Sequence, residues 1–332
     1  MRLLRIAILV LLLGQIAATA HAADKVKVTY ASFDALYAPY FLGIDKGYFA
    51  EGGLDVELIQ AGGGTATPAL MSGQVQFSSS SGSAVSAIIK GAPLRVVMTL
   101  AVSLPWKLWA TAPDITSLED LKGKPVGIET RGGLDELATR AALLKAGLPQ
   151  DWVIYSPIGI GGVQRVAVMQ SGSMPAIFLS YLEERTARAS GALQKGHVLV
   201  DFQHDIQIPY NGLATSTDLI AKNPDLVQRF TEAVLKGARY LKANRAGTLK
   251  VLQKYAKNVP LEHISESMDE TQPTVLANGE ALLDLRQLDL GLRSTMLGVA
   301  DAARPPLDKV YDYSFVQKAV ADLDARHWQP GD

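Results

Sequence analysis

Residues Val26–Ser83 read VKVTYASFDALYAPYFLGIDKGYFAEGGLDVELIQAGGGTATPALMSGQVQFSSSSGS, and this stretch decides the fold. Val26 to Ala31 predicts a strand, Tyr40 to Ala50 a helix, and Leu54 to Gln60 a second strand. A short helix is expected over Pro68 to Ser72, a strand over Val75 to Ser79, a helix over Ala84 to Lys90 with Ser83 as N-cap candidate, and a strand over Arg95 to Ala101. Short β-type runs that alternate with helical runs argue for parallel strands joined by helical crossovers. Gly52 with Gly53, and Gly91, each follow a helical run, where a left-handed cap suits a residue without Cβ.

Downstream the rhythm restarts. Thr116 and Glu119 have the spacing of a capping box for a short helix ending at Gly123. Pro125 to Glu129 then reads as strand, Leu134 to Ala146 as helix, Val153 to Ser156 as strand, Val163 to Gln170 as helix and Ala176 to Leu179 as strand. After Ile206 to Ser216 the texture turns helical, over Pro224 to Asn244 with Asn223 as N-cap, Gly247 to Lys257, and Leu261 to Asp269. The polar stretches Ser103 to Pro113 and Gln207 to Thr217 are candidates for two crossings between two α/β lobes. Two crossings make the second lobe an insert: one lobe spans 23–108 and 212–332, the other 109–211.

A length of 332 residues fits about two domains. A net charge of −1 lacks the basic excess that phosphate-backbone binding requires, which excludes nucleic acid as a partner class. The cysteine count is zero, which excludes disulfides, thiolate metal sites, cysteine nucleophiles and lipid attachment through cysteine. Arg2 and Arg5, the apolar run Ile6 to Leu13 and the small-residue pattern Ala20, His21, Ala22 have the layout of a cleavable secretory signal over 1–22. The expected product is a free periplasmic protein, not lipid-anchored, whose charge falls to −3 on loss of the two arginines.

The common enzyme templates are absent: no G-x-S-x-G elbow, no phosphate-binding G-x-x-x-x-G-K-[ST] loop, no H-E-x-x-H pair. Gly62, Gly63 and Gly64 fail the dinucleotide spacing, because the sixth position from Gly62 is Thr67. His197, His204, His263 and His327 show no metal-ligand spacing, and no cofactor or metal is expected. Small polar residues instead gather after predicted strands, where open α/β sheets bind ligands. Ser32, Phe33 and Asp34 follow the first strand, Gly64 and Thr65 the second, Ser80 and Ser81 the third, and Arg131, Gly132 and Gly133 a strand of the second block. Helix starts there would offer free N–H groups and a positive dipole end to an acceptor. Tyr37, Trp106 and Tyr210 are candidate aromatic walls and Asn211 a further polar contact. Ordinary N-caps, turns and core packing remain the competing explanations for each.

Three segments carry a family resemblance. Lys46-Gly47-Tyr48-Phe49 followed by Gly53-Leu54-Asp55-Val56 resembles a "K-G-x-F then G-L-D-V" run; Ala69 to Phe77 is similar to an "A-L-x-S-G-x-x-D-F" element; Leu118 to Gly127 is similar to "L-x-D-L-K-G-K-x-V-G". These are marks of the type II periplasmic solute-binding proteins of the nitrate, sulfonate and taurine group, which includes thiamine-pyrimidine-precursor binders. The sequence departs from them at Gln76, where the pattern has aspartate, and at Gly172-Ser173-Met174-Pro175-Ala176, where it has "G-x-x-D-A". Related thiamine-pyrimidine synthases would bring a cysteine-rich motif, which this chain lacks.

The resemblance implies a type II periplasmic binding protein fold of two lobes, a solute clamped between them, and delivery to an inner-membrane ABC permease with its ATPase. A non-enzymatic, monomeric receptor is expected. The expected solute is a small organic anion, a sulfonate or an aromatic carboxylate, with Arg131 as its cation. A neutral pyrimidine-type heterocycle read by Asp34 and the aromatic walls, and a secreted enzyme pairing Asp34 with a cleft histidine, stay open beside it.

Overall fold

The structure is a computed structural model that describes residues 22–31, 35–129, 131–158, 162–256 and 260–331. Residues 1–21 of the expected export signal and the candidates Ser32, Phe33 and Asp34 lie outside the described residues. Among the described residues, ten strands form two five-stranded sheets. They are β1 (Asp24–Tyr30), β2 (Leu54–Gln60), β3 (Phe77–Ser78), β4 (Leu94–Ser103), β5 (Trp106–Ala110), β6 (Pro125–Ile128), β7 (Ile154–Pro157), β8 (Ala176–Ser180), β9 (His197–Asp201) and β10 (Gln207–Ser216). The first sheet runs β2-β1-β3-β10-β4 and the second β7-β6-β8-β5-β9. β1 is parallel to β2 and β3, and β6 is parallel to β7 and β8, as the alternation of strands and helices requires. β10 enters the first sheet antiparallel, and β5 enters the second antiparallel.

Both expected crossings are therefore strands. The chain leaves the first sheet at Ser103 and enters the second at Trp106, so the outward link is Leu104–Pro105. It returns through the short helix Phe202–Asp205, which is followed directly by β10. Each is fixed as a strand by distant partners on both of its sides. Trp109 pairs with Ile177 on one side and Val198 on the other, and Ala214 pairs with Ser78 and Val96.

Other boundaries shift for local reasons. The helix expected over Tyr40 to Ala50 is two, Ala38–Asp45 and Tyr48–Glu51, because Gly47 sits at φ 77, a left-handed conformation that ends one helix and caps the next. The helix after β2 begins at Gly63 and carries Pro68 inside it, so the glycine triplet is its first turn and not a loop. The next helix starts at Ser81 with Ser80, not Ser83, at the cap. In place of the Thr116–Glu119 box, Asp120 caps: one carboxylate oxygen accepts from the N–H and hydroxyl of both Thr116 and Ser117. Those bonds to the charged form hold Asp120 below the usual aspartate range.

Each sheet has its own core. Beneath the first, Pro224–Ala243 lays down Leu226, Val227, Phe230, Val234, Ala238 and Leu241, and Phe230 stacks on Phe77 with ring centroids 4.0 Å apart. Asn223 caps that helix by accepting from Leu226 N–H at 3.1 Å. Against the second sheet, Phe178 stacks on Phe202 and meets Trp106 edge-on. One C-terminal helix, Leu283–Met296, serves both: Leu290 joins the first core, while Leu292 joins the second with Leu288 and Met296 beside it. The spacing 288, 292, 296 puts those three on one face.

Candidate functional site

Topology fixes which ends of the strands meet. β4 runs out of the first sheet toward Leu104–Pro105, and β1 to β3 run in the same direction, so their carboxyl ends share the edge from which the chain crosses over. In the second sheet Trp106 pairs with Ser180 and Lys107 with Asp201, so the carboxyl ends of β8, β9 and β6 lie beside the point of entry. These two edges, where open α/β sheets take ligands, thus flank the same pair of links.

The first edge is built from hydroxyls and amides. Thr29 Oγ1 donates to Ser78 Oγ at 2.9 Å, and Ser80 N–H donates to the same oxygen at 3.2 Å. Asn211 sits at a bulge in β10, is 1% exposed, and donates from Nδ2 to Leu36 O at 3.1 Å. Beside it, Gly212 is required by close approach: a Cβ there would drive into the Met98 carbonyl. Tyr40 Oη donates to Gly212 O at 2.5 Å, and burial raises its phenol well above the ordinary value. Four polar atoms here are occluded and without hydrogen-bond partners: Thr67 Oγ1, Ser79 Oγ, Ser80 Oγ and Asn211 Oδ1. An unsatisfied buried polar group costs about 1–3 kcal/mol, and four of the eleven such atoms among the described residues belong to this sheet edge and the helix beside it.

The second edge is charged. Arg165, 3% exposed on Gly162–Ser171, donates from Nη1 to Phe178 O at 3.1 Å and from Nη2 to Asp135 Oδ2 at 3.3 Å. Glu129 lies 3.6 Å from Nη2, Glu183 lies 3.7 Å from Nε, and the guanidinium stands 5.5 Å from the Trp106 ring centre. Glu183 is held by the capping box it forms with Ser180. Asp135 accepts from the Glu129 N–H and, at 3.1 Å, from the Glu136 N–H, yet burial pushes its carboxyl up to about 6.

The sequence candidates fall on both edges in different roles. Ser80 and Ser81 stand at the first edge, where Ser81 N–H donates to Ser79 O, and Asn211 joins them. Gly64 and Thr65 are exposed in the first turn of their helix, with Thr65 Oγ1 donating to Gly62 O at 3.2 Å. Tyr37 is buried in the first core, and Tyr210 packs against both cores. Trp106 is half-buried at the second edge. Arg131 is exposed, and its Nη2 donates to Tyr155 O on the outer strand β7 at 2.9 Å. Gly132 N–H donates to Glu136 Oε2 at 2.8 Å, so that donor serves the protein, and Gly133 is the N-cap of Leu134–Lys145. Sequence reasoning missed Thr67, Arg165, Asp135, Glu129 and Glu183. Only the inward position of Asp135 on its helix left a signal, a carboxylate among apolar residues.

A model of the family described as "NMT1/THI5 like" matches residues 35–247. The riboflavin-binding protein RibY of Chloroflexus aurantiacus is 33% identical over 219 residues, covering 63% of this chain and 59% of that protein. The chain thus spans less than two thirds of that relative. The periplasmic sulfonate-binding protein SsuA of Methylobacillus flagellatus superposes with a TM-score of 0.69 at 15% identity, over 94% of this chain and 98% of that one. The periplasmic nitrate-binding protein NrtA of Synechocystis gives 0.67 at 17% identity, over 91% and 90%. At such identities these two likenesses show the fold alone.

Proposed function

The chain belongs to the NMT1/THI5-like family and has the two-lobed periplasmic binding protein fold, and on that premise we propose that it captures a small organic solute between its two sheet edges. The observation that carries this is the cluster of four occluded, unpartnered polar atoms on the first edge, beside the links that join the lobes. The lobe of the first sheet and the lobe of the second close on the solute, contacts made only in the closed form shift the equilibrium, and the closed form docks on an ABC permease in the inner membrane. The protein acts in the periplasm as a monomer, and no bond is made or broken.

Two ligand classes divide the reading. The small anion depends on Arg131, whose guanidinium is turned to the Tyr155 carbonyl. A ring-bearing solute needs donors, acceptors and an aromatic wall, which Ser79, Ser80, Asn211 and Trp106 supply, and RibY is named for riboflavin. We read the ring-bearing solute ahead of the anion.

Catalysis is disfavoured by where the histidines stand. His197 opens β9 at the end away from the links, His263 lies on a C-terminal helix and His327 beyond the last. His204 lies on the return link, two-thirds exposed and 3.2 Å from Asp201. Of the histidines among the described residues, only His204 stands by the links that both edges flank, where it pairs with Asp201 and not with the Ser79 or the Arg165 cluster.

The test is thermal unfolding of refolded protein with riboflavin, pyrimidines, taurine, alkanesulfonates, nitrate and aromatic carboxylates. A solute at a thousand times its Kd adds about 4.1 kcal/mol. Stabilisation by riboflavin or a pyrimidine supports the reading. Stabilisation by the anions alone moves the protein to the anion class, and the absence of any stabilised state removes the receptor assignment.

A further inference from the structure

Resting on that reading, we infer that the Arg165 cluster of the second edge is a specificity device that excludes anionic solutes and accepts hydrogen bonds from N–H or O–H donors of a neutral or cationic ring. Three carboxylates, Glu129, Asp135 and Glu183, surround one guanidinium, leaving the edge with an excess of negative charge. The neighbouring cations are already engaged. Lys107 lies 3.2 Å from Glu184 and 3.9 Å from Asp201, Arg140 is bound to Glu136, and Arg131 is turned to Tyr155. An anion entering here meets uncompensated like charge in a partly desolvated place, which disfavours it more than the same charges would in water.

The cluster is also more than an acidic patch. Arg165 is buried, and its Nε has no hydrogen-bond partner, so the guanidinium is held without being saturated. The half-buried Trp106 ring lies against it and supplies an apolar surface at the same edge. The carboxylates divide the work. Asp135 is committed to backbone N–H groups and Arg165, and Glu183 to the Ser180 N–H through one oxygen. Glu129 is one-third exposed and touches Arg165 only at 3.6 Å, which leaves it the acceptor best placed to meet a donor from outside. With acceptor-rich carboxylates on this edge and hydroxyl groups on the other, the complement is a ring carrying both N–H or O–H donors and carbonyl acceptors.

The experiment uses the full mature chain with riboflavin as probe, since it carries an imide N–H, ring carbonyls and a hydroxyl chain, and butanesulfonate as the anion. Binding is measured by titration for the parent, Glu129→Gln, and the remote charge control Glu57→Gln. The expected result is riboflavin binding by the parent, weakened about ten- to a hundredfold by Glu129→Gln, unchanged in the control, with butanesulfonate gaining affinity only in Glu129→Gln. Melting temperatures should stay together, because Arg165 keeps Asp135, Glu183 and Phe178 as partners. A merely structural role for Glu129 would not move the riboflavin-to-sulfonate ratio. Equal riboflavin affinity in parent and Glu129→Gln overturns the inference and leaves the receptor reading intact, as does tight butanesulfonate binding by the parent. Failure of every solute in the wider panel removes both together.

Discussion

The two facing edges of the molecule solve different problems with different chemistry. Among the described residues the first edge is uncharged: Thr29, Ser78, Ser79, Ser80 and Asn211 make short-range hydrogen bonds and leave several polar atoms unpaired. The second edge is a buried ion cluster in which Arg165 ties Glu129 after β6, Asp135 on the next helix and Glu183 after β8. Neutral groups can be left unsatisfied for about 1–3 kcal/mol each, whereas a buried charge without its partner costs several. The first edge is therefore adjustable and the second is an all-or-nothing unit. Function and folding should respond to substitutions in opposite proportions on the two sides.

The largest effect expected is on the second edge. Arg165→Met leaves Asp135 buried without its counter-charge, and should destabilise the protein by about 3–5 kcal/mol in urea unfolding. A change below about 1 kcal/mol would show that the cluster is not the unit described and would erase the contrast. Next comes the helix that belongs to both regions. Leu292→Ala removes a 2%-exposed side chain from the second core while its own helix stays anchored to the first, at an expected cost of about 3 kcal/mol. Two probes, one per sheet, should then report separated transitions in place of one, because the link between the cores has been thinned.

How much of this was legible follows from how local each cause is. The parallel strands β1, β2 and β6 were readable because β1 and β2 alternate apolar with polar residues, β6 is a short apolar run, and each is bounded by its own turn. The serine run at Ser78–Ser81 was readable as the passage from a strand to a helix, which is where the structure puts it. β5 and β10 were not, since nothing in their own residues separates a strand from a crossing segment and they are made strands by partners far along the chain: Trp106 pairs with Ser180, and Asn211 with Ala101. Arg165 was illegible for the same reason. Its partners lie 30 residues away in Asp135 and on two other elements, and nothing in its own helix distinguishes it from a solvated arginine. Arg131, by contrast, looked like a site residue by position, and only the geometry shows its reach toward Tyr155.

The pH dependence separates the edges further. Burial raises the Asp135 carboxyl from 3.8 to about 6 in the folded protein, so between about pH 4 and pH 6 the folded state binds more protons there than the unfolded state. Stability contributed by this group is therefore present at low pH and lost as pH rises through about 6. Asp135→Asn should abolish that loss, improving on the parent by on the order of 2 kcal/mol more at pH 7 than at pH 4. Thermal melts across this range check the sign, and a difference of opposite sign would place the charge, not its burial, in control.

The smallest effect is expected on the first edge, and it is the sharpest test of the comparison. Ser79→Ala deletes a hydroxyl that is fully buried and has no hydrogen-bond partner, so it removes a desolvation penalty without breaking a bond. The variant should be as stable as the parent or more stable by about 1 kcal/mol, and the gain should be the same at pH 4 and pH 7, because its hydroxyl bonds to no titratable group among the described residues. Solute binding should nevertheless weaken, since the oxygen kept unpaired in the fold is the one the solute is proposed to use. A stabilised variant that binds as well as the parent would mean that the unpaired hydroxyls of the first edge are tolerated defects and that recognition resides on the charged edge alone.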